Sequence, residues 1–291
     1  MKWIAEISSN HNQSLSRAIK LIDTAAELGC WAVKFQLFKS HLLYAPEFKK
    51  KIEKMKSWEL PAVFLGDIKK RCIDNNLKFI CTPFDLEGVD VLKSYIDCFK
   101  IGSYEAMWFP LLKSIINTDV PWMFSTGMTT TMSEIAYPIA TGKAKCNPPC
   151  AVLHCNSNYP AKPECCNLSR ITEIRKLRQL IEVGWSDHTR NQELILTAIG
   201  LGAKIVEFHF DLDGKGVEFE FGHCWLPSEV KALINRAKFH ESNNIKYPAR
   251  KNWIYSNMTE ETEPSKWRTD PEDGLRPLKR FRNELIKKEE Q

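Results

Sequence analysis

Ile181-Glu182-Val183-Gly184-Trp185-Ser186-Asp187-His188, then a helix-length stretch from Asn191 to Gly202, then Lys204-Ile205-Val206-Glu207-Phe208-His209, is the segment whose reading decides the fold. Each apolar run ends in a histidine. Two successive parallel strands joined by a helix place both imidazoles on one carboxyl-end rim of the sheet, where α/β proteins build their metal and anion sites.

Working outward, strand-like runs and helix-period segments alternate along the chain. Strands are expected at Trp3–Ile7, Ala32–Gln36, Lys78–Thr82, Cys98–Ile101, Trp122–Ser125, Ala151–Cys155, Glu182–Trp185 and Lys204–His209. Helices are expected at Ser14–Leu28, Pro61–Asn75, Leu86–Tyr95, Pro110–Asn117, Thr131–Thr141, Ser169–Leu180, Asn191–Leu201 and Pro227–Phe239. Short strands apolar on both faces are parallel strands. Eight such units predict a TIM (β/α)8 barrel over residues 1–240, and no Gly-x-Gly-x-x-Gly follows a strand to favour a dinucleotide fold. Two insertions interrupt the rhythm. His41 to Glu59 reads as a lid or extra helix, and Asp211 to Leu226, alternating at Val217–Phe221, reads as a hairpin over the barrel mouth. Residues 241–291 read as a polar tail that packs on the barrel or on a partner subunit.

Composition narrows the class. With 43% hydrophobic and 26% charged residues the chain is an ordinary globular one. The net charge of +5 is modest, and the basic cluster of Arg276, Lys279, Arg280, Arg282, Lys287 and Lys288 reads as a solvated helix end, so no nucleic-acid partner is expected. No leader peptide or membrane helix is expected, which places the chain in the cytoplasm with its ten cysteines reduced. Cys146-x3-Cys150 with Cys165-Cys166 makes a poor zinc pattern, because adjacent cysteines serve one tetrahedral ion badly.

A barrel interior is dry, so polar residues at strand ends need a reason. Glu6, Lys34 and Gln36, Thr82, Lys100 with Ser103 and Glu105, Ser125, Ser157 and Tyr159, Ser186 to His188, and Glu207 with His209 recur there. Lysines among hydroxyls describe a pocket for a multiply charged anion. Gly127 permits close backbone approach beside Ser125. His188 and His209 with Asp187 and Glu207 describe a divalent metal with open positions.

Motifs carried by these residues resemble one family. They are Ala-Glu-Ile-Ser-Ser-Asn-His (5–11), Val-Lys-Phe-Gln (33–36), Thr-Pro-Phe-Asp (82–85), Lys-Ile-Gly-Ser-Tyr-Glu (100–105), Ser-Thr-Gly-Met (125–128), Leu-His-Cys-Asn-Ser-Asn-Tyr-Pro (153–160), Gly-Trp-Ser-Asp-His-Thr (184–189), Leu-Gly-Ala-Lys (201–204) and Glu-Phe-His-Phe (207–210). In this order they resemble the sialic acid (N-acetylneuraminate) synthase family, which includes the legionaminic and pseudaminic acid synthases. The resemblance implies condensation of phosphoenolpyruvate with an N-acylated hexosamine, giving a nonulosonic acid and phosphate. It implies a divalent metal, Mn2+ or Mg2+, on His188 and His209, and a homodimer. It assigns Lys34, Thr82, Lys100, Ser103, Ser125, Ser157 and Ser186 to phosphoenolpyruvate, and Phe84 is expected to bind substrate beside them. Glu6, Gln36, Glu105 and Tyr159 are then expected to orient sugar or water, and with Asp187 and Glu207 beside the histidines they make up the expected catalytic set.

The chain departs from the family pattern in places. A C-terminal antifreeze-like domain that reaches into the sugar site is usual in the family; here the tail suggests a short form, with Arg268 or Arg276 expected to take over an arginine contact. The usual Gly-Pro-Asp-His is replaced around Glu218–His223, where Glu220 or His223 is expected to stand in as a sugar ligand. Phe208 replaces a common lysine and, by strand alternation, is expected to face the helix layer. The rival readings are a pyruvate-dependent aldolase acting through Lys34 or Lys100, another phosphoenolpyruvate-dependent sugar-acid synthase, and a non-catalytic sugar-binding barrel.

Overall fold

In the computed structural model, residues 1–129, 131–145, 147–177, 181–255 and 265–290 are described. Cys146 and the end of the expected helix at residues 178–180 lie outside them. Eight parallel strands close into a barrel in sequence order: β1 Lys2–Ser8, β2 Ala32–Leu37, β3 Lys78–Pro83, β4 Cys98–Ile101, β5 Trp122–Ser125, β6 Ala151–Cys155, β7 Glu182–Asp187 and β8 Ile205–His209. The TIM barrel expected from the alternation is the fold observed.

The helices are α1 Leu15–Glu27, α2 Ser40–Leu43, α3 Lys49–Lys56, α4 Leu65–Asp74, α5 Leu86–Leu92, α6 Phe109–Ile116, α7 Met132–Ala144, α8 Ser169–Leu177, α9 Gln192–Gly200, α10 Pro227–Ser242, α11 Lys251–Ile254 and α12 Arg282–Glu290. Caps mark several starts. Ser14 accepts from the Arg17 amide ahead of α1, and Thr131 with Glu134 forms a capping box ahead of α7.

Strand alternation sorts the side chains into two cores. Outward residues such as Ala5, Phe35, Phe79, Phe99, Phe124, Val152 and Phe208 pack under the helices. Inward residues Ile4, Ala32, Ile80, Cys98, Met123, Ala151, Leu153 and Ile205 plug the barrel floor. Two residues further along most of these strands the inward position turns polar: Glu6, Lys34, Thr82, Lys100, Ser125 and Glu207. The site is thus the polar upper layer of a filled barrel. Phe208 faces the helix layer as alternation requires, packed near Trp3 and Phe210.

The first insertion is helical, forming α2 and α3. The second is not a hairpin. Its alternating residues instead enter a 3-10 turn at Phe219–Phe221, closed by Gly222 at φ 80°, and strand contact shrinks to a single bridge between Phe210 and Trp225. Period-two patterning over five residues was too short to override the local turn. Past the undescribed residues 256–264, the tail crosses the barrel mouth. Arg276 and Tyr44 form a bridge, with Ala45 N donating to Arg276 O (2.8 Å) and Arg276 N donating to Leu43 O (2.9 Å). Leu285 of α12 joins Phe38, Leu43, Tyr44, Phe48 and Phe84 in a third apolar cluster, which ties the tail to the first insertion.

Candidate active site

The upper layer opens into a cavity of about 500 Å³. Lys34 and Gln36 of β2, Thr82 of β3, Lys100 of β4, Ser125 of β5, Ser186 of β7, and Glu207 and His209 of β8 line it, with Phe84, Ser103, Glu105, Tyr159, His188, Glu218, His223 and Arg276 from the following loops and the tail.

One end is an anion pocket. Lys100 Nζ donates to Ser125 Oγ (2.6 Å). Lys34 Nζ lies 2.9 Å from Glu6, and each lysine is 3.8 Å from Glu207. Glu207 accepts from Ser186 Oγ (2.8 Å), and Glu6 accepts from Gln36 Nε2 (2.7 Å). Burial works against charge on Lys34, but Glu207 and Glu6 outweigh it and hold its pKa above the usual lysine range. Burial wins at Lys100, whose pKa is lowered despite Glu207. Burial likewise raises the pKa of Glu6, whereas at Glu207 it is overcome by Lys100 and Lys34, which keep that carboxylate ionised. Glu6 is fully buried behind Lys34 and Gln36 and does not itself line the cavity.

Around the lysines, hydroxyls converge. Thr82 Oγ1 and Ser157 Oγ are buried with no hydrogen-bond partner among the described residues. Gly127 N donates to Ser103 Oγ (3.1 Å), and a side chain at Gly127 would strike Ser103, Cys155 and Ser157. Glycine is therefore required by close approach, as its place beside Ser125 suggested. Ser157 sits behind Gly127 and does not line the cavity.

The other side holds three imidazoles around Tyr159. Its ring centroid lies 4.1 Å from His188, 5.6 Å from His209 and 5.0 Å from His223. His188 and His209 are 5.4 Å apart, and His209 and His223 are 4.5 Å apart. Burial, then His209, pushes the His188 pKa well below the ordinary value, so the ring is neutral. Its Nδ1 lies 2.5 Å from the Asn156 carbonyl, an oxygen that can only accept. Nδ1 therefore carries the hydrogen and Nε2 keeps a lone pair, the tautomer of a metal ligand. His209 Nδ1 is 2.9 Å from Glu218 Oε2; burial opposes charge there, but Glu218 outweighs it and raises the pKa. Buried imidazoles around Glu218, a carboxylate that despite its burial His209 and His223 hold below the usual range, suit a divalent cation better than an apolar or anionic group.

Several expected residues lie elsewhere. Asp187 does not flank the metal side. It follows inward Ser186, so it faces outward and accepts from Trp185 Nε1 (3.1 Å), Trp225 Nε1 (3.2 Å), Thr189 Oγ1 (2.7 Å) and Arg190 N (3.0 Å). It braces the loop that carries His188. Asp187→Asn is expected to cost about 1–3 kcal/mol by setting an amide N–H against those donors. Thermal melting should show the loss with the KM for substrates little changed; a selective KM effect would return Asp187 to the site. Glu207 stands with the lysines, not among the imidazoles. Glu220 is exposed on the 3-10 turn and does not line the cavity. Arg268 points to Glu134 of α7 at 3.9 Å and also stays outside. Arg276, by contrast, is buried against the cavity, paired with Glu105.

Sequence reasoning passed over Glu218, two residues from the glutamate it chose. It also passed over the rim formed by Tyr44, Lys51, Lys54 and Trp58 of the first insertion and Trp267 of the tail. No helix among the described residues is long and apolar enough to cross a membrane, and the described cysteines are all free thiols.

Comparison with known proteins agrees with this geometry. Residues 21–244 match the NeuB family. The chain is 35% identical over 253 residues to N,N'-diacetyllegionaminic acid synthase of Campylobacter jejuni, covering 81% of this chain and 75% of that protein. It is 33% identical over 244 residues to spore coat polysaccharide biosynthesis protein SpsE of Bacillus subtilis, a match that covers 80% of this chain and spans 65% of SpsE, just under two thirds. The crystal structure of N-acetylneuraminic acid synthetase from Leptospira borgpetersenii superposes with a TM-score of 0.77 at 28% identity, over 90% of this chain and 89% of that one. With its motifs in order on the rim of a closed eight-stranded barrel, this chain belongs to the NeuB family.

Proposed function

We propose that the chain condenses phosphoenolpyruvate with an N-acylated hexosamine, giving a nonulosonic acid and inorganic phosphate. The observation that carries this reading is the juxtaposition in one cavity of a two-lysine, multi-hydroxyl anion pocket with an imidazole–carboxylate cluster. Each half alone fits many proteins; together they fit an anionic enol set against a carbonyl. Relatives named as legionaminic and pseudaminic acid synthases support the substrate class.

Lys34 and Lys100, with Ser103, Ser125, Ser186 and Thr82, hold the phosphate and carboxylate of phosphoenolpyruvate and fix the enol carbon toward the imidazoles. C3 of the enol attacks the sugar aldehyde, forming the new C–C bond, and the aldehyde oxygen takes up a proton. Water adds at C2. The tetrahedral carbon then loses phosphate by C2–O cleavage, and the hydroxyl left on C2 gives up its proton to become the ketone. Glu207, which lines the cavity and which the lysines keep ionised, is the carboxylate placed for those transfers, while Glu6 acts from behind by holding Lys34 and Gln36. Tyr159 and Gln36 orient sugar and water. His188 and His209 would hold a divalent metal, Mn2+ or Mg2+, whose bound form supplies Lewis-acid polarisation of the aldehyde. Arg276 and Glu105 form the wall at the sugar end.

Phosphate release from phosphoenolpyruvate with a panel of N-acylated hexosamines, followed by mass spectrometry of the product, tests the reading. Activity is expected to vanish with a chelator and return with Mn2+ or Mg2+. No phosphate release with any acceptor would dispose of it. The lowered pKa of Lys100 keeps one rival alive, a Schiff-base aldolase. Borohydride trapping of a pyruvate adduct on Lys100, with activity indifferent to chelator, would favour that rival.

A further inference from the structure

The paired histidines are not alone at their end of the cavity. His223, on the loop between the 3-10 turn and α10, is almost wholly buried, lines the cavity, and has an Nδ1 with no hydrogen-bond partner among the described residues. Its Nε2 lies 3.8 Å from Glu218 Oε2, the same oxygen that meets His209 Nδ1 at 2.9 Å. The donor atoms of His209, Glu218, His223 and Cys224 fall within 4.8 Å of one another. Cys224 Sγ accepts from Asn10 Nδ2 at 3.5 Å and lies 3.8 Å from His223 Nε2, but it does not line the cavity. Glu218 is held from behind, with the Ser8 hydroxyl donating to its Oε1 and its own amide donating to Asn10 Oδ1 at 2.9 Å. A buried carboxylate aimed between two imidazoles and clamped from two sides is a costly arrangement for surface decoration and an ordinary one for a cation ligand.

We infer that Glu218 and His223 complete the metal centre of this chain, making it a three-histidine, one-carboxylate set with His188 and His209. The inference rests on the metal-dependent reading above and extends it. A nitrogen-rich set of this kind favours borderline transition metals over Mg2+, which asks for an oxygen shell. Zn2+ and Co2+ are therefore expected to bind far more tightly than Mg2+.

The test is metal binding to the metal-free full chain, measured by chelator competition with Zn2+ and Co2+, without turnover. His223→Asn and Glu218→Gln are each expected to weaken binding by more than the roughly 10–100-fold that loss of an outer-shell partner costs. His209→Asn serves as the comparison, and circular dichroism checks that each variant folds. In Zn2+-loaded wild-type protein, three histidine side chains should show metal-shifted ¹⁵N resonances. That spectrum gives an answer even where a variant fails to fold. Wild-type affinity in both His223→Asn and Glu218→Gln, or only two shifted histidines, would overturn the inference while leaving a two-histidine metal site standing. Wild-type affinity in His209→Asn as well would bring down the metal reading itself.

Discussion

Lys100→Met should lower kcat/KM for phosphoenolpyruvate by about 10²–10³-fold, the usual effect of removing one preorganised charge donor from a dry active site. Lys100 sits at the bottom of the anion pocket, 2% exposed, with its ammonium on Ser125 and within ion-pair range of Glu207. Its lowered pKa means that the folded chain spends free energy to keep a charge there. An incoming phosphate or carboxylate repays that cost, and a methionine cannot. The fold should tolerate the change. Methionine fills the volume of the lysine stem, and Glu207 keeps Ser186 and Lys34. A melting temperature near wild type beside a collapsed kcat/KM is the expected pair of results.

The same position separates the two chemistries. Lys100→Arg keeps the charge but removes the amine that a Schiff base needs, so a partial recovery over Lys100→Met supports the anion clamp. Complete loss in both, with pyruvate trapped on the wild-type lysine, supports the aldolase. Lys34→Met makes a useful contrast. It leaves Glu6 without its cation and Glu207 with Lys100 alone, so a loss of stability should accompany the loss of turnover, unlike at Lys100. A Lys100→Met protein with wild-type kcat/KM for phosphoenolpyruvate would remove the clamp from the mechanism altogether.

The barrel and the anion pocket were legible because both follow from one rule, the alternation of side chains along a strand. Lys34 with Gln36, and Glu207 with His209, share a face in the sequence and share the cavity in space. The rule also placed Phe208 under the helices. Asp187 shows the cost of not applying it: one residue beyond inward Ser186, it had to face outward, toward Trp185 and Trp225. Glu218 was beyond the reach of any local rule. Its orientation depends on Asn10 and Ser8, some two hundred residues away in the chain, and on a 3-10 turn hidden within an alternating pattern. The tail poses the same difficulty. Nothing local distinguishes Arg268 from Arg276; what selects Arg276 is a backbone bridge to Tyr44 in the first insertion.

Arg276→Ala is expected to destabilise the chain by about 3–5 kcal/mol, because it strands a buried carboxylate. Glu105 is fully buried. Its Oε1 takes the Arg276 Nε at 3.0 Å and the Thr269 hydroxyl at 2.8 Å, while its Oε2 has no hydrogen-bond partner among the described residues. The guanidinium also lies over Tyr104 at 4.4 Å and Phe84 at 5.1 Å, so its loss empties packing as well as charge. Both residues line the cavity, and on the proposed reading they wall its sugar end, so KM for the acceptor should rise well beyond any change for phosphoenolpyruvate. Stability and recognition can be taken apart. Arg276→Ala combined with Glu105→Gln removes the stranded charge, so melting should recover much of the loss while the acceptor KM stays high. Arg276→Lys keeps a cation without the planar fork and should fall between the two. If the double variant restored the acceptor KM along with the melting temperature, the tail would be a brace for the barrel mouth and not part of the site that reads the sugar.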